Sequence, residues 1–266
     1  MQTKLNDFAR RYGPYALVTG ASEGIGRAIA EELAKSGVNV LLVARREDLL
    51  NQLAHRLEKQ YGVLCPVICA DLSKLEEIDS LFSITDHLEI GLVVCNAGFG
   101  TAGNFLNSDL KTEMDMLNVN CAALTKMAHH MGNQLKVRGR GGLILVSSIL
   151  AMQGVPRSAH YAATKAYVHA LGEALQEEWK VTGIDLLIVA PGPVATGFAA
   201  RSKMQLGKAA TPTVVALESL AALGRRKVIH PGWLAKVMAF SLSTAPRWIR
   251  VKIMGAIMRD MTKQLP

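Results

Sequence analysis

The chain has 266 residues, half of them hydrophobic, enough for a substantial buried core, which excludes intrinsic disorder as the reading. Its apolar runs, such as LILV at 143–146, break well before the roughly 18 residues of a membrane span, and the polar opening MQTKLNDFARRYG lacks the apolar core of a secretory signal, so a cytoplasmic protein is expected. The net charge of +8 is lopsided: residues 1–200 hold 18 Lys and Arg against 20 Asp and Glu, whereas residues 201–266 hold 12 against 2, an asymmetry that marks either an anionic partner or a solvated basic face.

The first predicted strand, YALVTG, runs into TGASEGIGRAIA at 19–30, with glycines at 20, 24 and 26 and a helix-period segment closed by Gly37. Glycines at a strand-to-helix turn let the backbone approach a pyrophosphate, which the N–H groups of the helix start would bind. The spacing T-G-x-x-x-G-x-G resembles the short-chain dehydrogenase/reductase family. That resemblance implies a single-domain Rossmann fold and a bound dinucleotide, held here by Gly20, Ser22, Gly24, Ile25 and Gly26.

The second strand, VNVLLVA, ends on Ala44, Arg45 and Arg46. An acidic side chain there would accept hydrogen bonds from the adenosine ribose, whereas arginine offers a planar fork for a 2′-phosphate. The expected cofactor is therefore NADP(H), with Arg45 ahead of Arg46 as the phosphate ligand. Glu47 and Asp48 suit the first turn of the following helix. The third strand, VLCPVICA, leads to Asp71 and Leu72, and the fourth, IGLVVCN, to Asn96, Ala97 and Gly98. By resemblance Asp71 binds the adenine amino group, Leu72 lies beside it, and Asn96, Ala97 and Gly98 line the adenosine side. Cys95 stands where the family usually has a second asparagine.

Asn120 is a polar residue in MLNVNCAAL, an otherwise apolar helix-period segment. Ser148 ends the fifth strand, GLILVSS, and Tyr161 follows thirteen residues later in SAHYAATKAYVHAL. Tyr161 and Lys165, four apart, share one face of a helix. In order, spacing and type Asn120, Ser148, Tyr161 and Lys165 match the family's catalytic tetrad, which implies that Tyr161 exchanges a proton with the substrate oxygen and Ser148 stabilises it. By the same resemblance Lys165 holds the nicotinamide ribose and Asn120 anchors a relay water. A phenol has an ordinary pKa of about 10, so an ammonium close by, helped by an oxidised nicotinamide, is expected to lower it. His160 points to another helical face, and His129 and His130 have no metal-like partners, so none is assigned catalysis.

The sixth strand, IDLLIVA, precedes PGPVAT, where Pro191, Gly192, Val194 and Thr196 match the family's nicotinamide segment. GFAARSKMQLGKAATP follows, which in similar proteins forms a lid over the substrate. KVIHP is the seventh predicted strand. Near-continuous apolar strands alternating with helices give a doubly wound parallel α/β sheet. Cys65, Cys69, Cys95 and Cys121 lack CxxC spacing and are expected to be reduced, with no metal site.

Residues 1–245 are read as the NADP-binding catalytic domain and 246–266 as a basic amphipathic extension, with Trp248, Ile249, Val251, Met254, Met258 and Met261 among cations. This helix could pack on the domain or a second subunit of a homodimer or homotetramer, contact a membrane surface peripherally, or edge a lipophilic pocket. No nucleic-acid motif accompanies the charge. The resemblance is to members related to hydroxysteroid dehydrogenases and 3-oxoacyl reductases, which implies reversible reduction of a hydrophobic ketone, steroid-like or 3-oxoacyl. An NADP-binding regulatory or scaffold protein is the alternative.

Overall fold

A computed structural model describes residues 2–202, 204–205 and 207–264, with the backbone alone for 2–6 and 200. The strands β1 (Tyr15–Thr19), β2 (Asn39–Ala44), β3 (Val67–Cys69), β4 (Ile90–Cys95), β5 (Gly141–Val146), β6 (Ile184–Val189) and β7 (Val228–Ile229) coincide with the seven predicted runs. All pair in parallel, in the order β3-β2-β1-β4-β5-β6-β7. The order reverses between β1 and β4, and the crevice outside the strand ends at such a point is where ligands of open α/β sheets bind.

Because strand side chains alternate faces, the apolar runs build two cores. Ala16, Val18, Val40, Leu42, Leu92, Val94, Ile144 and Val146 point one way, while Leu17, Leu41, Val43, Val93, Cys95, Leu143 and Leu145 point the other. Helices α1 (Gln2–Tyr12), α2 (Gly24–Lys35), α3 (Glu47–Tyr61), α4 (Leu75–Thr85), α5 (Leu110–Leu117), α6 (Leu124–Arg138) and α7 (Ala159–Glu178) follow in chain order. Ile29 and Leu33 of α2 and Leu50, Leu53 and Leu57 of α3 close the first core, and Ile78 and Leu81 of α4, Met127 and Met131 of α6 and Val168 of α7 close the second.

After β6 come the short helix α8 (Gly197–Arg201), then α9 (Pro212–Ala222), α10 (Trp233–Thr244) and α11 (Arg247–Met261). Met254 and Met258 of α11 join Ala239 and Leu242 of α10, Ile149, Val155, Ala162 and Met204 in a third apolar cluster. The basic C-terminal segment thus turns Met254 and Met258 inward and leaves Arg247, Lys252 and Arg259 exposed, together with Ile253 and Ile257, while Arg250 folds back onto the Ala245 and Ser243 carbonyls. Trp248 is exposed, with Lys252 Nζ 5.1 Å from its ring centroid. Among the described residues no helix is long and apolar enough to cross a membrane. The four cysteines are free thiols; Cys65, Cys95 and Cys121 are buried and Cys69 is exposed.

Candidate active site

The glycine turn is locked by close approach. Gly20 has φ +67° and Gly24 φ +59°, in the left-handed region that favours glycine. A Cβ on Gly26 would meet the Gly20 carbonyl oxygen at 2.4 Å and Asn96 Nδ2 at 2.5 Å. Asn96 Nδ2 donates to the Thr19 carbonyl at 2.9 Å, while Thr19 Oγ1 accepts from the amides of Asn96 and Ala97 at 3.0 Å each. The end of β4 therefore holds the first turn in place, and Thr19, which the sequence reading missed, is the hub.

One cavity runs from this turn to the third apolar cluster. Gly20, Ser22, Gly24, Ile25, Arg45, Arg46, Asp71, Leu72, Asn96, Ala97 and Gly98 line one end; Ser148, Tyr161, Lys165, Pro191, Gly192, Val194 and Thr196 line its middle. Two expected site residues, Gly26 and Asn120, sit behind the wall. At the far end the lining is apolar: Leu150, Phe198, Met204, Met238, Met254 and Met258.

Each catalytic candidate has a definite support. Ser148 leaves the tip of β5, and its Oγ accepts from Leu150 N at 3.2 Å. Tyr161 and Lys165 project from the first turns of α7, both buried, with Lys165 Nζ 5.9 Å from the Tyr161 ring centroid and donating to the Val146 carbonyl at 2.8 Å. Ser147 Oγ donates to the Lys165 carbonyl at 2.9 Å, pinning α7 to β5. Phe198 of α8 packs on Tyr161 at 5.3 Å between ring centroids, and Gly100 leaves both rings room: a Cβ there would lie 2.7 Å from Phe198 and 2.9 Å from Tyr161.

Asn120 lies in a π-helical turn, Asn118–Ala123, between α5 and α6, where helical spacing predicts an ordinary α-helix. Such single turns gather at functional sites. The Asn120 side chain is spent on structure: Oδ1 accepts from Phe99 N at 3.2 Å, and Nδ2 donates to the Phe99 carbonyl and to Thr164 Oγ1, each at 2.9 Å. Thr164, one residue before Lys165 and missed in the sequence, thus couples α7 to the π turn.

Electrostatics departs from the sequence expectation. Burial pushes the Tyr161 phenol up to about 12, with Ser148 pulling it back by hydrogen bonding, and burial pushes Lys165 down to about 8, with the neighbouring Cys121 sulfur working weakly in the other direction. Desolvation is the larger cause for both groups because both lie in the same dry wall. At neutral pH Lys165 still carries most of its charge. His160 is accounted for structurally, since its Nδ1 meets Glu113 Oε2 at 2.7 Å, and His130 pairs with Asp86 at 3.1 Å.

Beside the glycine turn, Arg46 Nη2 donates to Ser22 Oγ at 3.0 Å and lies 3.0 Å from Glu23 Oε2. Asp71 Oδ1 accepts from the amide and hydroxyl of Ser73, at 3.1 and 2.9 Å, which fixes the loop after β3.

Residues 14–206 match the short chain dehydrogenase family. The chain belongs to that family. Its members are oxidoreductases acting on alcohol and carbonyl groups, and the seven-stranded parallel sheet here is their Rossmann-type fold. The chain is 34% identical over 259 residues to a very-long-chain 3-oxoacyl-CoA reductase of Mus musculus, covering 94% of this chain and 81% of the relative. A solved structure from work on 7β-hydroxysteroid dehydrogenase stereoselectivity superposes with a TM-score of 0.86 at 28% identity, covering 93% of this chain and 98% of that one. A relative from Pongo abelii, 31% identical over 97% of this chain and 80% of its own length, is named an inactive hydroxysteroid dehydrogenase-like protein 1.

Proposed function

We propose that the protein transfers a hydride between NADP(H) and the carbonyl or secondary alcohol of a hydrophobic substrate. The observation that carries this reading is a single cavity joining a glycine turn, a buried Ser148–Tyr161–Lys165 set and an apolar, methionine-rich chamber. The residues fit a dinucleotide: the turn at Gly20 and Gly24, held in left-handed backbone, lines an open cavity together with Ser22, Asn96, Ala97 and Gly98, and among the described residues no bulky side chain stands between that turn and Tyr161. Arg45 and Arg46 line the adenosine end where an NAD-type ribose site would carry a carboxylate.

The nicotinamide, when bound, supplies the hydride at C4 and, in its oxidised form, a positive charge that favours the phenolate. Tyr161 Oη gives its proton to the oxygen of the ketone as negative charge builds there, and takes it back in the oxidation direction. Ser148 Oγ donates to the same oxygen. Lys165, anchored on the Val146 carbonyl, holds a cofactor ribose hydroxyl and keeps an ammonium beside the phenol. The π turn leaves the main chain at Asn120, rather than its engaged amide, to hold a relay water. Pro191, Gly192, Val194 and Thr196 orient the carboxamide.

The chamber beyond Tyr161 suits a lipophilic ketone, steroid-like or 3-oxoacyl, because thioethers fill and refill irregular apolar space. In this reading residues 1–245 form the catalytic domain and α11 walls its substrate chamber, in a cytoplasmic homodimer or homotetramer that touches membranes only peripherally. The alternative, an NADP-binding regulatory or scaffold protein, needs no serine beside a buried phenol. An NADPH-oxidation screen over 3-oxoacyl thioesters, steroids, retinoids and simple ketones tests the proposal. Lipophilic ketones should be turned over fastest; tight NADPH binding with no turnover anywhere in the panel would favour the alternative.

A further inference from the structure

Glu23 is an acidic residue inside the phosphate turn, where its charge would oppose a pyrophosphate. It occupies the N-cap position of α2 with extended backbone, φ −156° and ψ 172°, yet its side chain makes no cap hydrogen bond. An N-cap carboxylate normally turns onto the first helical amides. Here it is drawn outward by two arginines from distant segments: Arg46, at the start of α3, lies 3.0 Å from Oε2, and Arg201, at the end of α8, is hydrogen-bonded to Oε1. Gly197 makes this possible at the first residue of α8, since a Cβ there would lie 2.7 Å from Glu23 Oε2. Next to it, Gly24 leaves room for Thr196, whose Cγ2 would lie 3.0 Å from a Cβ. The phosphate turn and the segment that opens α8 are thus fitted to one another, and all four charged or hydroxyl partners, Ser22, Glu23, Arg46 and Arg201, line the cofactor end of the cavity.

We infer that Glu23 and Arg201 are coenzyme-specificity residues that act by fastening α8 over the cofactor. The inference rests on the NADP(H) reading above. Arg46 is shared between Ser22 and Glu23 through the same nitrogen. A 2′-phosphate dianion is the stronger partner for that guanidinium, so NADP(H) draws Arg46 off Glu23. The carboxylate then belongs wholly to Arg201, and α8, which carries Phe198 against the phenol, is held down. NAD(H) brings no phosphate, so Arg46 stays on Oε2 and goes on neutralising part of the Glu23 charge that Arg201 meets at Oε1, and the clasp is weaker. The 2′-phosphate, at the adenosine end, is in this way sensed by the wall of the catalytic pocket. Glu23 and Arg201 are positioning residues, since neither touches the reacting atoms.

The test is the release rate of NADPH and NADH, followed by stopped-flow chase, in the wild type, Arg201→Gln, Glu23→Gln and the double variant. Both residues are partly exposed, and equal melting temperatures for the variants confirm intact folds. Exposed ion pairs are weak, so Arg201→Gln should speed NADPH release about two- to fivefold. It should leave NADH release nearly unchanged and have almost no further effect in the Glu23→Gln background. Equal acceleration for both coenzymes, persistence of the effect in Glu23→Gln, which would put Arg201 on the cofactor itself, or no effect at all each overturns the clasp. A wild type that releases NADPH faster than NADH overturns the coenzyme assignment instead, without any variant.

Discussion

Replacing Lys165 with methionine should make the protein more stable at neutral pH while abolishing its turnover. Lys165 is 4% exposed and its pKa is pushed down to about 8 by burial. A fall from the ordinary value near 10.5 corresponds to about 3 kcal/mol spent keeping the ammonium in the dry wall. The hydrogen bond to the Val146 carbonyl, lost in the variant, offsets about 1–2 kcal/mol of that. At pH 7, below both values, the whole penalty is present and Lys165→Met gains about 1–2 kcal/mol, which is about 2–8 °C in Tm for a chain of this size. Between pH 8 and 10.5 the unfolded chain holds a proton that the native protein has released, so the wild type grows relatively more stable as pH rises. The advantage of the variant therefore shrinks by about 3 kcal/mol across that window and reverses sign within it, so that at pH 10.5 the wild type is the more stable by about 1–2 kcal/mol. Urea melts of both proteins without coenzyme at pH 7, 9 and 10.5 measure the difference. A variant that is less stable at pH 7, or a difference independent of pH, would refute the account of a desolvated ammonium.

Tyr161→Phe keeps the ring on Phe198 and removes only the hydroxyl, so NADPH binding should be unchanged and kcat should fall at least 100-fold, the usual scale of general acid–base catalysis; near-wild-type kcat removes the proton-donor role. Arg45→Asp should shift the kcat/KM ratio toward NAD(H) by tenfold or more, and an unmoved ratio places the 2′-phosphate elsewhere. Gly98→Ala puts a methyl 2.9 Å from Asn120 Oδ1 and 3.2 Å from Lys165 Nζ. Overpacking of about 1–3 kcal/mol is expected, with a drop in kcat larger than the loss of Tm would explain. Thr262→Val removes the Oγ1 that accepts from Arg157 Nε at 2.7 Å and donates to the Met258 carbonyl. With Thr262 fully buried, a cost of about 1–3 kcal/mol and a raised KM for bulky ketones at constant NADPH affinity are expected; an unchanged KM would separate α11 from substrate binding. Liposome sedimentation of the full chain against a version ending at Thr244 checks the membrane contact, which fails if neither binds anionic lipid.

The sequence by itself determined the sheet and the location of the cleft. Strand periodicity is local: runs such as VNVLLVA bury both faces wherever they sit, and a glycine turn at 20–26 can follow only a strand that feeds a helix. The Tyr161–Lys165 spacing was equally legible, since four residues on a helix fix a common face. What the side chains do to one another is a matter of distance across the fold. The expectation of a lysine-lowered phenol gave way to burial, which no sequence pattern reports, because desolvation depends on how β5, α7 and α8 close around the pair. The π turn at Asn120 arises where α5 and α6 meet α7 through Thr164, a contact 44 residues away in sequence. Charge counting marked residues 201–266 as basic without saying which way they face; only packing turned Met254 and Met258 inward and left Trp248 outside. Glu23 was just one letter between two glycines until Arg46 and Arg201 met on it, since ion pairs depend on separation in space and the chain brings those two together from 155 residues apart.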